Sequence, residues 1–74
     1  MLREPVASSS IVSLGYSAAS CVLEVEFASG GVYQYAGVPD DAHRALLAAE
    51  SKGRHVHRFI KGRFPFQRVG GALR

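Results

Sequence analysis

Residues 21–36 read CVLEVEFASGGVYQYA, and this stretch decides the fold. In its first seven residues every odd position is apolar, whereas Glu24 and Glu26 occupy even positions. Side chains of a strand alternate between two faces, so the pattern predicts a strand with one apolar and one acidic face. The Gly30-Gly31 pair predicts a tight turn, because glycine adopts the positive φ angles of hairpin loops. The residues after the turn then return as the partner strand.

The flanking sequence extends this hairpin into a sheet. Residues 10–17 alternate weakly and predict a further strand, so we expect a three-stranded antiparallel meander over residues 10–17, 21–29 and 31–36. Residues 64–69 read as an extended segment after Gly62, where the second helix is expected to end. Pro65 cannot donate a ladder hydrogen bond, so this segment is predicted as a C-terminal strand at the edge of the sheet, if it joins at all.

Two helices are predicted between the meander and that segment. Four residues recur at the spacing of one helix face and predict a main helix over residues 40–52: Ala42, Ala45, Leu46 and Ala49. Gly53 is the expected end of this helix. A second, shorter helix from Arg54 to Lys61 is expected to bury Val56, Phe59 and Ile60. The predicted fold class is therefore α+β, with one main and one short helix beside the sheet.

Length and composition fix the domain organisation. The 74 residues suffice for one domain, and a hydrophobic fraction of 47% with 20% charged residues is typical of a globular chain. We expect a flexible N-terminal arm at residues 1–8, the domain at residues 9–69 and a loose tail at residues 70–74. No apolar run is long enough for a signal peptide or a membrane span, and the single Cys21 forms no internal disulfide, so a cytoplasmic protein is expected.

The charge is strongly polarised along the chain. Residues 1–53 carry a net charge of −3, whereas residues 54–74 contain five arginines, one lysine and no acidic residue, a charge of +6. Arginine pairs with phosphate through two parallel hydrogen bonds and stacks on bases. This segment therefore favours an anionic partner such as RNA, although a basic surface that only keeps a small protein soluble gives the same pattern.

The Tyr33-x-Tyr35 pair has two alternative placements. A two-residue hairpin loop puts both rings on the face of Glu24 and Glu26, where they would form an exposed platform for stacking bases. A three-residue loop reverses the register and buries the rings beneath the helix as core aromatics. The sequence favours the first placement only slightly.

Catalytic and metal sites are not predicted. His55 and His57 are two residues apart, which on a helix directs them about 200° from one another, and no zinc-binding spacing involves Cys21 or His43. No serine lies in a nucleophile elbow, and the Glu24/Glu26 pair has no sugar-binding cleft beside it in the sequence. We therefore expect a non-enzymatic protein without metal or cofactor.

Several segments in this order resemble the KTSC domain, over about residues 8–69. They are Ser13-Leu14-Gly15-Tyr16, the run from Leu23 to Tyr35 with its Tyr-x-Tyr, Val38-Pro39, Ala49 to Gly53, and Ile60-Lys61. The family is named for the C-terminal extension of some lysyl-tRNA synthetases and also occurs as a free-standing bacterial protein. Where the family tends to have an aromatic residue and asparagine, this chain has Val56-His57. The resemblance implies no catalytic residues. It implies RNA binding only as a suggestion, which rests on the occurrence of the domain as an extension of a tRNA synthetase.

The sequence therefore yields one main functional hypothesis and one alternative. The main hypothesis is weak RNA binding through the basic segment and the Tyr-x-Tyr strand, with these contact residues: Tyr33, Tyr35, Arg54, Arg58, Lys61, Arg63 and Arg68. The alternative is a protein-interaction or homodimerisation module, in which an open sheet edge or the basic segment docks an acidic partner. No membrane partner is expected.

Overall fold

The computed structural model describes residues 2–71 and contains one antiparallel sheet beside two helical segments. The strands are β1 (Glu4–Pro5), β2 (Ile11–Ser17), β3 (Val22–Phe27), β4 (Gly31–Tyr35) and β5 (Phe66–Gly71). Between β4 and β5 lie α1 (Asp40–Ala48) and α2 (Lys52–His55), and α2 continues directly into a π-helix (Val56–Ile60). The five strands are hydrogen-bonded in chain order, β1-β2-β3-β4-β5.

The prediction of a three-stranded meander is wrong, because the sheet has five strands, although the fold remains α+β. One added strand comes from the N-terminal residues assigned to a flexible arm, where Glu4 and Pro5 pair with Leu14 and Ser13. The other is β5, which lies at the sheet edge, where a C-terminal strand over residues 64–69 is expected; it pairs with β4 from Phe66 to Gly71 and so includes Gly70 and Gly71 of the predicted loose tail. The rest of that tail, residues 72–74, lies outside the described residues.

The helical region also differs from its prediction. The main helix ends at Ala48 instead of residue 52, and Ser51 caps the next helix, its side chain accepting a hydrogen bond from the backbone N–H of Arg54. Gly53, expected to end the main helix, lies inside α2 instead. A Cβ atom there would collide with the Ser10 hydroxyl, so the glycine permits close contact with the chain before β2.

The hydrophobic core lies between the helices and one face of the sheet. Its fully buried members from the sheet and the following loop are Ile11, Leu14, Leu23, Val25, Tyr35 and Val38. Leu46 from α1 and Val56 and Ile60 from the π-helix cover them. Beside this core the Tyr16 ring stacks on His43 at 4.1 Å, and its hydroxyl donates to the carbonyl of Val38 at 2.7 Å. Within the described part of the chain, no helix has the length and apolar character needed to span a bilayer.

Candidate nucleic-acid interface

The β3–β4 hairpin loop decides where the two tyrosines lie. Three residues, 28–30, separate the strands, and Gly30 adopts a φ angle of 112° while its N–H donates to the carbonyl of Phe27. In the resulting register Tyr33 lies opposite Val25 and Tyr35 opposite Leu23. Directly opposed residues share a face, so both tyrosines lie on the core face, away from Glu24 and Glu26. The prediction that the tyrosines form an exposed platform on the acidic face is therefore wrong. The hairpin has the three-residue loop of the alternative placement.

The tyrosines contribute to an open groove at one end of the core face. We call this the aromatic groove; it has a volume of about 350 Å³ and is lined by Phe27, Ser29, Tyr33, Tyr35, Lys61 and Phe66. The Tyr33 ring lies 5.6 Å from Phe27 in an edge-to-face contact and 5.6 Å from Phe66. Tyr35 is 2% exposed and forms part of the floor, whereas Phe66 is 61% exposed. Aromatic side chains are thus concentrated around one concave surface.

One of the predicted basic contact residues, Lys61, lines the aromatic groove, and a second, Arg68, belongs to the strand that carries Phe66. The Lys61 ammonium lies 4.9 Å from the centroid of the Phe27 ring. Arg68 lies opposite Tyr33 in the β4–β5 register and therefore projects from the same face. Burial, and then the neighbouring Tyr33, raise the pKa of Tyr35 above its ordinary value of 10. The Tyr35 hydroxyl is consequently protonated at neutral pH and remains a hydrogen-bond donor.

The other three predicted arginines belong to a separate surface around Phe59. Its residues are Arg54, His55, Arg58, Phe59 and Arg63, and we call it the Phe59 surface. The guanidinium carbons of Arg58 and Arg63 each lie 5.9 Å from the centroid of the Phe59 ring. The His55 ring packs against Phe59 with 4.7 Å between the ring centroids and an angle of 43° between the ring planes. A shallow depression of about 210 Å³ runs beside these side chains and also touches the single acidic residue Glu50.

The π-helix explains why Phe59 faces solvent. Its end is closed by the Lys61 N–H, which donates to the carbonyl of Val56 at 2.8 Å, a bond across five residues. Val56 and Ile60 are buried, but Phe59 is 45% exposed. The prediction that Phe59 is buried is therefore wrong, because it assumed α-helical spacing. π-helical turns are rare and occur often at functional sites.

Glu24 and Glu26 are engaged in a network on the opposite face of the sheet. Arg3 Nε lies 3.0 Å from Glu24 and Arg3 Nη1 lies 3.1 Å from Glu26. The Gln34 amide donates to Glu24 and the Ser13 hydroxyl donates to Glu26, both at 2.8 Å. Arg3, the cationic side chain of this network, is thus paired with both carboxylates.

The structure divides the sequence-predicted site into two. Tyr33, Tyr35 and Lys61 line the aromatic groove, with Arg68 on the same face of β5, whereas Arg54, Arg58 and Arg63 lie around Phe59. Sequence reasoning missed Phe27, Phe59 and Phe66 as site residues. A usable signal was present in the segment from His55 to Phe66, HVHRFIKGRFPF, where aromatic and basic residues alternate closely. Among residues 2–71, no three His, Cys, Asp or Glu side chains lie close enough together to hold a metal ion.

Comparison with known proteins places this geometry in a family. The family model of the KTSC domain matches residues 7–64. An uncharacterized protein of Stutzerimonas stutzeri is 48% identical over 61 residues, which cover 82% of this chain and 86% of that protein. A lysine–tRNA ligase of Nostoc punctiforme is 41% identical over 59 residues, 80% of this chain but 10% of the ligase. The crystal structure of a KTSC domain protein from Yersinia pestis superposes with a TM-score of 0.90 at 45% identity, covering 93% of this chain and 97% of that one.

Proposed function

The chain belongs to the KTSC domain family, and we propose that it is a small domain that binds single-stranded RNA through the Phe59 surface. The observation that carries the proposal is the exposed Phe59 ring with two guanidinium groups beside it. Proteins that bind single strands combine aromatic or guanidinium planes for base stacking with cations that follow the phosphates. The Phe59 surface combines both on one short segment.

The positive charge of the Phe59 surface and the similarity to part of lysine–tRNA ligases support the same proposal. All cationic residues of the Phe59 surface come from the part of the sequence that contains no acidic residue, and Glu50 is the one acidic residue beside the depression, so positive charge predominates where phosphates would approach. A sequence similar to this chain makes up about a tenth of lysine–tRNA ligases, enzymes whose name includes an RNA substrate.

Titration of labelled single-stranded RNA, followed by fluorescence anisotropy at 50 and 200 mM salt, tests the proposal. Three phosphate contacts, from Arg54, Arg58 and Arg63, give a slope of log affinity against log salt of about −2, or about a 20-fold loss between the two concentrations. Arg58→Ala should lower the affinity and reduce the slope by about 0.7. Phe59→Ala should lower the affinity by about 1–3 kcal/mol and leave the slope unchanged, because stacking releases no counterions.

Arg44→Ala is the matched control. Arg44 is an exposed arginine on α1 that pairs with Asp40 at 2.7 Å, outside the Phe59 surface. Its removal lowers the net charge by the same amount as Arg58→Ala, so equal losses from both variants would mean that only overall charge matters. Absence of binding at 50 mM salt with tens of micromolar protein would end the RNA proposal.

One observation favours a second candidate function, a protein-interaction or dimerisation module. Strand β5 is hydrogen-bonded to β4 on one side only and ends the order of the described sheet. Its Phe66 and Val69 side chains are 61% and 44% exposed. An edge strand with exposed apolar residues accepts a strand from another chain. Light scattering after size-exclusion chromatography tests the homodimer: a monomer at 100 μM would argue against it.

A further inference from the structure

The aromatic groove has a shape that depends on one glycine. A Cβ atom at Gly31 would lie 2.6 Å from Cε1 of Tyr33, closer than side chains approach one another. The Tyr33 ring therefore occupies space that any other residue at position 31 would fill. With Phe27 opposite and Phe66 beyond it, this ring leaves an open concavity instead of a closed core. Its volume of about 350 Å³ lies at the lower end of small-ligand sites.

Polar groups in the aromatic groove lack protein partners. Among the described residues, the hydroxyls of Tyr33 and Tyr35 form no side-chain hydrogen bond, and no buried polar atom is left unsatisfied. The Tyr35 hydroxyl therefore reaches the groove surface although the rest of its side chain is buried. Ser29 adds another hydroxyl at the rim. A ligand here meets hydrogen-bond donors at the floor and edge of an otherwise aromatic surface.

The cations of the aromatic groove are also available. Lys61 forms no ion pair with a carboxylate within residues 2–71 and rests over the Phe27 ring. Arg68 donates from Nε to the carbonyl of Gly70 at 3.2 Å, which leaves its two terminal nitrogens for another acceptor. Lys61 lines the concavity and Arg68 lies on the same face of the adjoining strand β5, so the two positive charges favour an anion at this end of the sheet.

The rings, hydroxyls and cations at the aromatic groove together favour one class of ligand over others. An apolar peptide side chain would leave the hydroxyls and two cations without partners, and burial of such groups costs free energy. An inorganic anion would use the cations but none of the four rings. A planar, hydrogen-bonding group that carries a negative charge uses all of them, and nucleotides have this chemistry.

We propose that the aromatic groove binds one nucleotide of a single-stranded RNA, with the base on the exposed face of Phe66 and the phosphate at Lys61 and Arg68. This inference rests on the proposed function, which supplies RNA as the polymer that is bound. It adds a second RNA contact beside the Phe59 surface. The Phe59 surface then holds the backbone and neighbouring bases, while the aromatic groove takes a single base out of the stack.

Titration of the isotope-labelled full chain with adenosine 5′-monophosphate, followed by NMR, tests this inference without RNA. We expect chemical-shift changes at Tyr33, Lys61 and Phe66, weaker binding of adenosine and none of inorganic phosphate in the groove. Phe66→Ala should weaken nucleotide binding at least about fivefold, because one stacking surface is lost. Lys61→Gln should weaken binding of the monophosphate towards that of adenosine, since only the phosphate contact is lost.

Two further variants sharpen the test. Gly31→Ala should displace the Tyr33 ring and weaken nucleotide binding, with unchanged backbone shifts in β2 as evidence of an intact fold. Val69→Ala is the matched control for Phe66→Ala, because Val69 is an exposed apolar residue of the same strand that does not line the groove. It should leave nucleotide binding unchanged.

The outcomes separate this inference from the proposed function. In one outcome, Arg58→Ala weakens RNA binding, but 10 mM nucleotide causes no chemical-shift changes at groove residues and Phe66→Ala leaves the RNA affinity unchanged. This outcome would overturn the proposal for the aromatic groove and retain the one for the Phe59 surface. Nucleotide binding in the groove without RNA binding at 50 mM salt would keep the ligand chemistry but overturn the RNA assignment. Equal affinity for adenosine and its monophosphate would overturn the role of Lys61 and Arg68.

Discussion

At the residue scale, Arg3 holds together the polar face of the sheet. Its guanidinium contacts Glu24 and Glu26, and Glu24 is only 8% exposed. A carboxylate this deeply buried requires a cationic or hydrogen-bonding partner, because removal from water disfavours its charged form. Gly15, which lies opposite Glu24 in the strand register, has no side chain to compete for this space. The N-terminal segment is thus attached to the sheet by one side chain as well as by its two-residue strand.

We predict that Arg3→Ala lowers the free energy of unfolding by about 1–3 kcal/mol, because the nearly buried Glu24 carboxylate loses its charged partner. Urea denaturation followed by circular dichroism measures the change. Arg44→Ala, which removes an exposed helical pair, should cost less than about 0.5 kcal/mol. Equal effects of the two substitutions would contradict a structural role of the Arg3 network.

At the element scale, the sequence predicts strands better than the connections between them. The alternation in β3 identifies its apolar face correctly, since Leu23 and Val25 are fully buried. Two adjacent glycines follow β3, Gly30 in the loop and Gly31 at the start of β4, and either fits a turn, so local sequence does not distinguish two loop residues from three. That single residue decides which face carries Tyr33 and Tyr35. Tertiary packing, not local propensity, selects the register.

Other elements have no periodic signal that the sequence alone could provide. Strand β1 is two residues long and contains a proline, so no alternation is visible. Strand β5 ends in two glycines, which are unusual in strands. The residues of the π-helix do not follow α-helical spacing, and Phe59 therefore faces solvent instead of the core. The sequence therefore predicts the types of residue in the candidate site, which are basic and aromatic. It does not predict that these residues are divided between two surfaces.

The π-helix leads to a direct prediction at this scale. Ile60→Ala should lower the free energy of unfolding by about 2–5 kcal/mol, because Ile60 is 1% exposed and its loss leaves a cavity. The adjacent Phe59→Ala should cost less than about 1 kcal/mol, since that ring is half exposed. Thermal or urea unfolding of the two variants measures both. A larger loss for Phe59→Ala would place Phe59 in the core, as an α-helical register requires.

At the scale of the whole molecule, the sheet separates two charge environments. One face carries the Arg3–Glu24–Glu26 network, and the aromatic groove with Lys61 and Arg68 belongs to the other. The cationic residues of the Phe59 surface also come from the helical region that covers this second face. The basic residues of the Phe59 surface and Lys61 thus lie on the helical side of the sheet, which also carries Asp40 and Asp41 at the start of α1.

The chain order of the strands also has a kinetic consequence. Strands β2, β3 and β4 are joined by short loops, and hairpins of this kind form in microseconds, whereas β5 reaches β4 only after residues 36–65. We expect β5 to join after the β2–β4 meander and to detach before it, so its amide hydrogens should exchange with deuterium faster than those of β3 under native conditions. Equal protection of both strands would show that the sheet opens only as a whole. Because Phe66 belongs to β5, each such opening would also dismantle the aromatic groove, and a ligand bound there would slow exchange selectively in the last strand.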